Sequence, residues 1–403
     1  MKNALLLTYG RLTMSVSLEF LSAYFGVIVG GAVSFMGSEE EICTCLVSFI
    51  ITTIAVSVSV TESLPLPWQP PKEIANKLHQ DPDTKTQASD DFGHIIHQTP
   101  LAVLYPDSIF DIASLINFSN SLPTPFTISS RGNGHSVRGQ AMAHNGVVIN
   151  MTQLAKNGTR IVVSQGKAPF YADVGAEQLW IDVLHATLEH GLAPRSWTDY
   201  LYLTVGGTLS NAGISGQTFK FGPQISNLNE IDVLTGKGEF FTCSTEKNSG
   251  LFYSALGGLG QFGIITRARI LLQPAPNRVK WVHLFYNNFS TFSGDQERLI
   301  TVEKNNGADY VEGQLLLNQL PLDLSFYPIK DRPRISSLVK KEGIIYIIEL
   351  VKHYTDETKE AMEKVHISSI FQLKISVLKS NVIDQREIKF TEKSRDHVSC
   401  CIT

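Results

Sequence analysis

The stretch from Arg131 to Gln140 reads Arg-Gly-Asn-Gly-His-Ser-Val-Arg-Gly-Gln and sets an imidazole, His135, between Gly134 and Ser136. Glycine tolerates positive φ and close approach of backbone to a ligand, so Gly132 and Gly134 suit a tight turn around something bulky. The amides of such a turn could bind a phosphate, with the Ser136 hydroxyl beside them. A second segment, Ser196 to Gly213, mixes small residues (Gly206, Gly207, Ala212, Gly213) with Trp197, Tyr200 and Tyr202. Small side chains let backbone pack against a flat or phosphorylated ligand, and the aromatic ones need burial, which argues against a loose loop. A hydrolase built on His135 and Ser136 is disfavoured. Neighbours in sequence do not readily bring that hydroxyl to that ring, and no nucleophile elbow is present.

The elements around these segments alternate. Pro125 to Ser129 reads as a strand that delivers the histidine turn from a rigid element. Before it come a β-branched run at 101–105 and a helix over 109–118, and after it short strands at 146–150, 160–163 and 170–174. Residues 177–190 carry Leu179, Trp180, Val183, Leu184 and Leu188 at helical spacing, with Gly191 placed to end the helix. Short strands mixed with helices give an α+β expectation. Gly258-Leu259-Gly260-Gln261-Phe262-Gly263 matches Gly-x-Gly-x-x-Gly, but a helix precedes it, a strand follows, and no carboxylate lies near residue 283. A nicotinamide site of the doubly wound kind is therefore rejected. Longer strands at 279–286 and 344–350, with the acidic step Asp309-Tyr310-Val311-Glu312, mark a second domain.

At 403 residues the chain is long enough for two domains, and 43% apolar with 18% charged residues is a globular balance. A net charge of -4 with scattered basic residues gives no case for nucleic acid. The five cysteines (Cys43, Cys45, Cys243, Cys400, Cys401) show neither a disulfide framework nor metal-ligand spacing. Residues 1–65 are expected to be an apolar leader, a signal peptide or signal anchor, with apolar stretches at 18–35 and 45–60 and Lys2 and Arg11 ahead of them. Sequons at Asn117, Asn150, Asn157 and Asn288 are compatible with a secretory route ending outside the cell or in the vacuole.

The Arg131–Gln140 turn, the run Trp197-Thr198-Asp199-Tyr200-Leu201-Tyr202-Leu203-Thr204-Val205-Gly206-Gly207, the pieces Ser215 to Phe219 and Gly222 to Asn227, and the stretch from Gly257 to Arg269 together closely resemble the plant cytokinin dehydrogenases. These form a branch of the vanillyl-alcohol-oxidase-like flavoproteins. The similarity covers about residues 81–365 and implies a PCMH-type FAD-binding domain (66–275), an incomplete α+β substrate domain (276–363) and an atypical tail (364–403). It implies covalent FAD on a ring nitrogen of His135, contacted by Ser130, Gly132, Asn133, Gly134, Ser136, Gln140, Asp199, Thr204, Ser210, Ile214 and Ile265. It further implies oxidative cleavage of the unsaturated N6 side chain of cytokinins, through an imine, to adenine and an aldehyde. A quinone-like acceptor or oxygen would take the electrons, and a monomer is expected. Asp199 would orient the substrate amine and accept its proton, a general-base contribution of roughly 10²–10⁴-fold. Glu312 would lie near the substrate entrance.

Relatives continue well beyond the point, near Lys364, where the similarity ends, so a C-terminally truncated form is expected that folds poorly or binds FAD weakly. Two alternatives follow: another covalent-FAD oxidase of the superfamily acting on alcohols or sugars, or a non-catalytic truncated form.

Overall fold

The computed structural model describes residues 66–360, except 165, 277, 302–306, 320–321, 323, 325–326, 328, 356 and 359, and the strand segments 4–9, 12–17 and 382–389. Residues 1–65 and 66–403 form separate compact units. In the first, β1 (Ala4–Tyr9) pairs antiparallel with β2 (Leu12–Ser17). The apolar stretches at 18–35 and 45–60 expected to act as a leader lie outside the described residues. Among the described residues no helix is long and apolar enough to cross a membrane.

The second unit opens with a four-stranded sheet of β3 (Leu78–His79), β4 (Ala102–Leu104), β5 (Ile128–Arg131) and β6 (Val147–Asn150), in the order β3-β4-β6-β5. β4 and β5 both run parallel to the central β6. A parallel return needs a crossover, and helix 109–121 supplies it. That helix starts where Ser108 and Asp111 satisfy each other's backbone amides in a capping box. Its apolar face (Ile112, Leu115) packs on Ala102, Leu104, Val147 and Ile149. The sheet thus fixes the point from which the histidine turn leaves β5.

A six-stranded sheet follows, made of β7 (Ile161–Val163), β8 (Tyr171–Gly175), β9 (Leu192–Pro194), β10 (Leu228–Leu234), β11 (Phe240–Ser244) and β12 (Ile264–Pro274). Its order is β11-β10-β12-β8-β7, with β9 added to the far end of β12. Helix 180–188 covers it with Trp180, Val183 and Leu184, and the chain leaves that helix through Gly191 at φ +66°. Full burial of side chains such as Leu184 and Ile231 contributes roughly 1.5–3 kcal/mol each. On the solvent face Arg267 of β12 bonds Asp173 on β8 and Glu230 and Asp232 on β10, so one guanidinium ties three strands.

The last sheet holds β13 (Arg278–Tyr286), β14 (Tyr310–Leu317), β15 (Ile344–Tyr354) and β16 (Val382–Lys389), all antiparallel in the order β14-β15-β13-β16. Strand alternation sorts its side chains onto two faces. Val282, Leu284, Tyr286, Val311, Ile348 and Leu350 pack under helix 289–301. Phe285, Ile345 and Ile347 meet helix 332–342 on the other face. That second face also carries His283, Tyr310, Glu312 and Glu349. A mixed sheet and antiparallel sheets with helices on their faces make the protein α+β, as its pattern implied.

Candidate active site

β5 ends at Arg131, and the turn that follows is locked to the segment around residue 200 at three points. Gly132 lies so close to Thr204 that a β-carbon on it would sit 2.2 Å from the threonine hydroxyl. Asn133 donates its side-chain amide to the Tyr202 carbonyl at 2.7 Å. The half-buried His135 ring packs between Phe92 (4.7 Å, near parallel) and Tyr200 (5.1 Å). Gly134 adopts φ +76°, which glycine reaches without strain. The His135 Nδ1 lies 3.1 Å from the Asn133 carbonyl. A carbonyl only accepts, so Nδ1 donates there and the ring plane is fixed.

Between these segments runs a cleft of about 590 Å³. Ser130, Gly132, Asn133, Gly134, His135, Ser136 and Gln140 line one wall, and Thr204, Ser210 and Ile265 line the other. The Ser136 hydroxyl is buried with no partner among the described residues. An unanswered hydroxyl, glycine-lined walls and turn amides fit a ligand that pairs a flat ring system with phosphates, which is the chemistry of FAD.

Ile214, expected at the cofactor, is 72% exposed and does not line the cleft. Conversely, Leu259, Gly260, Gln261 and Gly263 do line it. The Gly-x-Gly-x-x-Gly stretch therefore follows helix 249–255 and precedes β12, as its rejection as a nicotinamide turn assumed, yet still contributes to the cleft wall. Its glycines were the available signal. Ala176, Met142 and Met151 also line the cleft and carry no such signal.

Asp199 does not line that cleft but lies close enough to Glu312 of β14 for its charge to act on that carboxyl. Glu312 also accepts a hydrogen bond from the Tyr310 hydroxyl. Burial, reinforced by the charges of Asp199 and Glu349, pushes the Glu312 carboxyl up to about 8, an effect the Tyr310 hydroxyl partly offsets. Tyr310 reaches this position because Gly216 leaves room for its ring: a β-carbon there would come within 2.5 Å of it. The Val311 amide donates to the Gly216 carbonyl at 2.9 Å, and Lys220 pairs with Asp309. Burial drives Asp309 upward, but His353, Lys220 and Lys352 outweigh it and hold the carboxyl below its ordinary range. The segment 215–221 thereby joins the six-stranded sheet's loops to the strand that bears Glu312.

This pairing of an FAD-like cleft with a second sheet has a match among known families. A family model described as "FAD binding domain" matches residues 100–244, and "Cytokinin dehydrogenase 1, FAD and cytokinin binding" matches residues 276–393. The chain is 48% identical to cytokinin dehydrogenase 7 of Oryza sativa subsp. japonica over 359 residues, 87% of this chain and 68% of that protein. The chain belongs to the cytokinin dehydrogenase family. To cytokinin dehydrogenase 10 of the same rice it is 53% identical, over 72% of this chain and 55% of the relative. To cytokinin dehydrogenase 2 of Arabidopsis thaliana it is 48% identical, over 78% and 62%. The chain thus spans between about half and two thirds of the length of these cytokinin dehydrogenases. The substrate-domain match runs through residue 393 and includes β16.

Proposed function

We propose that this chain carries the cytokinin dehydrogenase reaction, in which an N6-unsaturated adenine is oxidised to an imine and hydrolysed to adenine and an aldehyde. The observation that carries the reading is the carboxyl pair of Asp199 and Glu312, set beside the aromatic wall of the His135 turn. His135 would hold FAD covalently, with the cleft residues around Ser130–Gln140, Thr204, Ser210 and Ile265 cradling it. When bound, FAD supplies the acceptor for the hydride that leaves the carbon attached to N6. Asp199 accepts the N6 proton, so the amine loses a hydride and a proton together and becomes a C=N bond. Glu312, its carboxyl raised to about 8, keeps its proton at pH 7 beside Asp199. Tyr200 and Tyr202 give the substrate apolar walls, and water then adds across the C=N bond. The electrons pass on to a quinone-like acceptor or oxygen, and the chain acts as a monomer reached through the secretory route.

The test is expression of the chain followed by acid precipitation. A flavin absorbance that stays with the protein, and is lost in His135→Ala, supports the tether. Release of adenine from isopentenyladenine, without turnover of sugars, supports the reaction. Absence of both results sinks the proposal.

A further inference from the structure

The face of the last sheet that meets Asp199 carries a second buried carboxyl whose position is set by strand register. Glu349 of β15 lies directly opposite Glu312 of β14 on one side and His283 of β13 on the other. It is 2% exposed. Both of its oxygens accept hydrogen bonds, Oε1 from the Trp281 indole at 2.7 Å and Oε2 from the Gln314 amide at 2.8 Å. His283 Nε2 stands 3.4 Å from Oε2. Two donors on two oxygens suit the carboxylate form.

Residues directly opposite in an antiparallel pair have β-carbons about 4.5–5.5 Å apart, and like charges there repel. Sequence alternation alone does not call for a carboxylate at position 349, where the neighbours on that face are Ile347 and Val351. Burying a charge without a ligand in contact is costly, so its retention needs a reason. Glu312 is the group that receives its field. The groups that face Glu312 are Tyr310 from its own strand, Glu349 from β15 and Asp199 from the loop, with His283 one strand beyond Glu349.

We infer that Glu349 is a positioning residue that acts through Glu312: anchored by Trp281 and Gln314 and set directly across from Glu312, it keeps Glu312 in the neutral, proton-donating form. Glu349 touches neither substrate nor cofactor. It makes the two carboxyls at the reaction centre unequal, so that one accepts a proton while the other holds one. The direction of the Glu312 shift and the contribution of Glu349 to it agree with this arrangement. The inference rests on the reading of Asp199 as the proton acceptor.

Infrared titration of the carboxyl C=O stretch in the purified chain reads the state of Glu312 without turnover. The Glu312→Gln variant identifies its band. The wild-type band is expected to persist at pH 7 and fade near pH 8. In Glu349→Gln, which keeps the shape and the oxygen acceptor but removes the charge, the Glu312 titration is expected to fall by about one pH unit, a tenfold loss of proton affinity. Gln314→Met removes one of the two donors that hold Glu349 in place across from Glu312, so the same band should move in the same direction by less. This variant carries the test should Glu349→Gln not fold. A Glu312 titration unchanged in whichever variants fold overturns the inference. Lack of turnover with isopentenyladenine in a wild type that still shows the shift overturns the functional proposal instead.

Discussion

The two halves of the candidate site are built from opposite materials. The cofactor cleft is made largely of backbone: glycines at 132 and 134, turn amides, and Gly206–Gly207, with side chains kept small so that a large group can approach. The carboxyl pair is made of side chains held by other side chains, with Tyr310 on Glu312, Trp281 and Gln314 on Glu349, and the ring of Tyr310 seated on Gly216. A backbone cradle tolerates little added volume but has no charge to tune. The buried carboxyl row can be tuned by one atom, and its chemistry depends on protons that the cradle never handles. Damage to the first should appear as lost cofactor and stability, and damage to the second as lost rate and altered pH response.

The largest effect should come from Asp199→Asn, which keeps the shape but cannot accept the proton. Turnover is expected to fall by roughly 10²–10⁴-fold with the amount of acid-stable flavin unchanged. Loss of flavin in this variant would break the division between the two regions.

Next is the pH dependence of stability. Glu312 has its carboxyl raised from an ordinary 4.5 to about 8, so the folded state binds this proton more tightly than the unfolded chain. The stability it contributes is complete below pH 4.5 and is lost as pH rises toward 8, at a slope of at most about 1.4 kcal/mol per pH unit. Comparing urea unfolding of wild type and Glu312→Gln across that window should show the slope only in the wild type.

A smaller change is expected in the cradle. Gly132→Ala forces a β-carbon against Thr204 and should cost ~1–3 kcal/mol and weaken flavin retention. Adding Thr204→Ala should recover part of the loss, a coupling that a double-mutant cycle would measure. The pH profile should stay as in the wild type.

The smallest effect is expected from Tyr310→Phe. It removes the hydroxyl that favours the charged form of Glu312, so the Glu312 titration should rise, opposite in sign to Glu349→Gln. A fall would show that the tyrosine acts on Glu312 through packing and not through its hydrogen bond.

Much of the cleft could be read from the chain because its requirements are local. A turn that must reach positive φ at 134 needs glycine, and that requirement leaves its mark within a few residues. The strands and helices around it were legible for the same reason: helix 180–188 falls inside the expected 177–190, and β12 begins at Ile264, where a strand was expected. Ile214, expected at the cofactor, is 72% exposed, while Leu259 and Gln261, forty-five residues and more away, line the cleft.

The sequence by itself determined the α+β alternation, the histidine on its glycine turn and the identity of the carboxyls at 199 and 312. Nothing in it placed Asp199 against Glu312, or set Glu349 across from that residue with Trp281 and Gln314 as its donors. Those relations join positions up to 113 residues apart (312 − 199) and arise from strand register and from the way residues 215–221 dock on β14. Charge and hydrogen bonding act over a few ångströms of space, whatever the separation along the chain. The proton chemistry of the site was therefore decided only when the sheets came together.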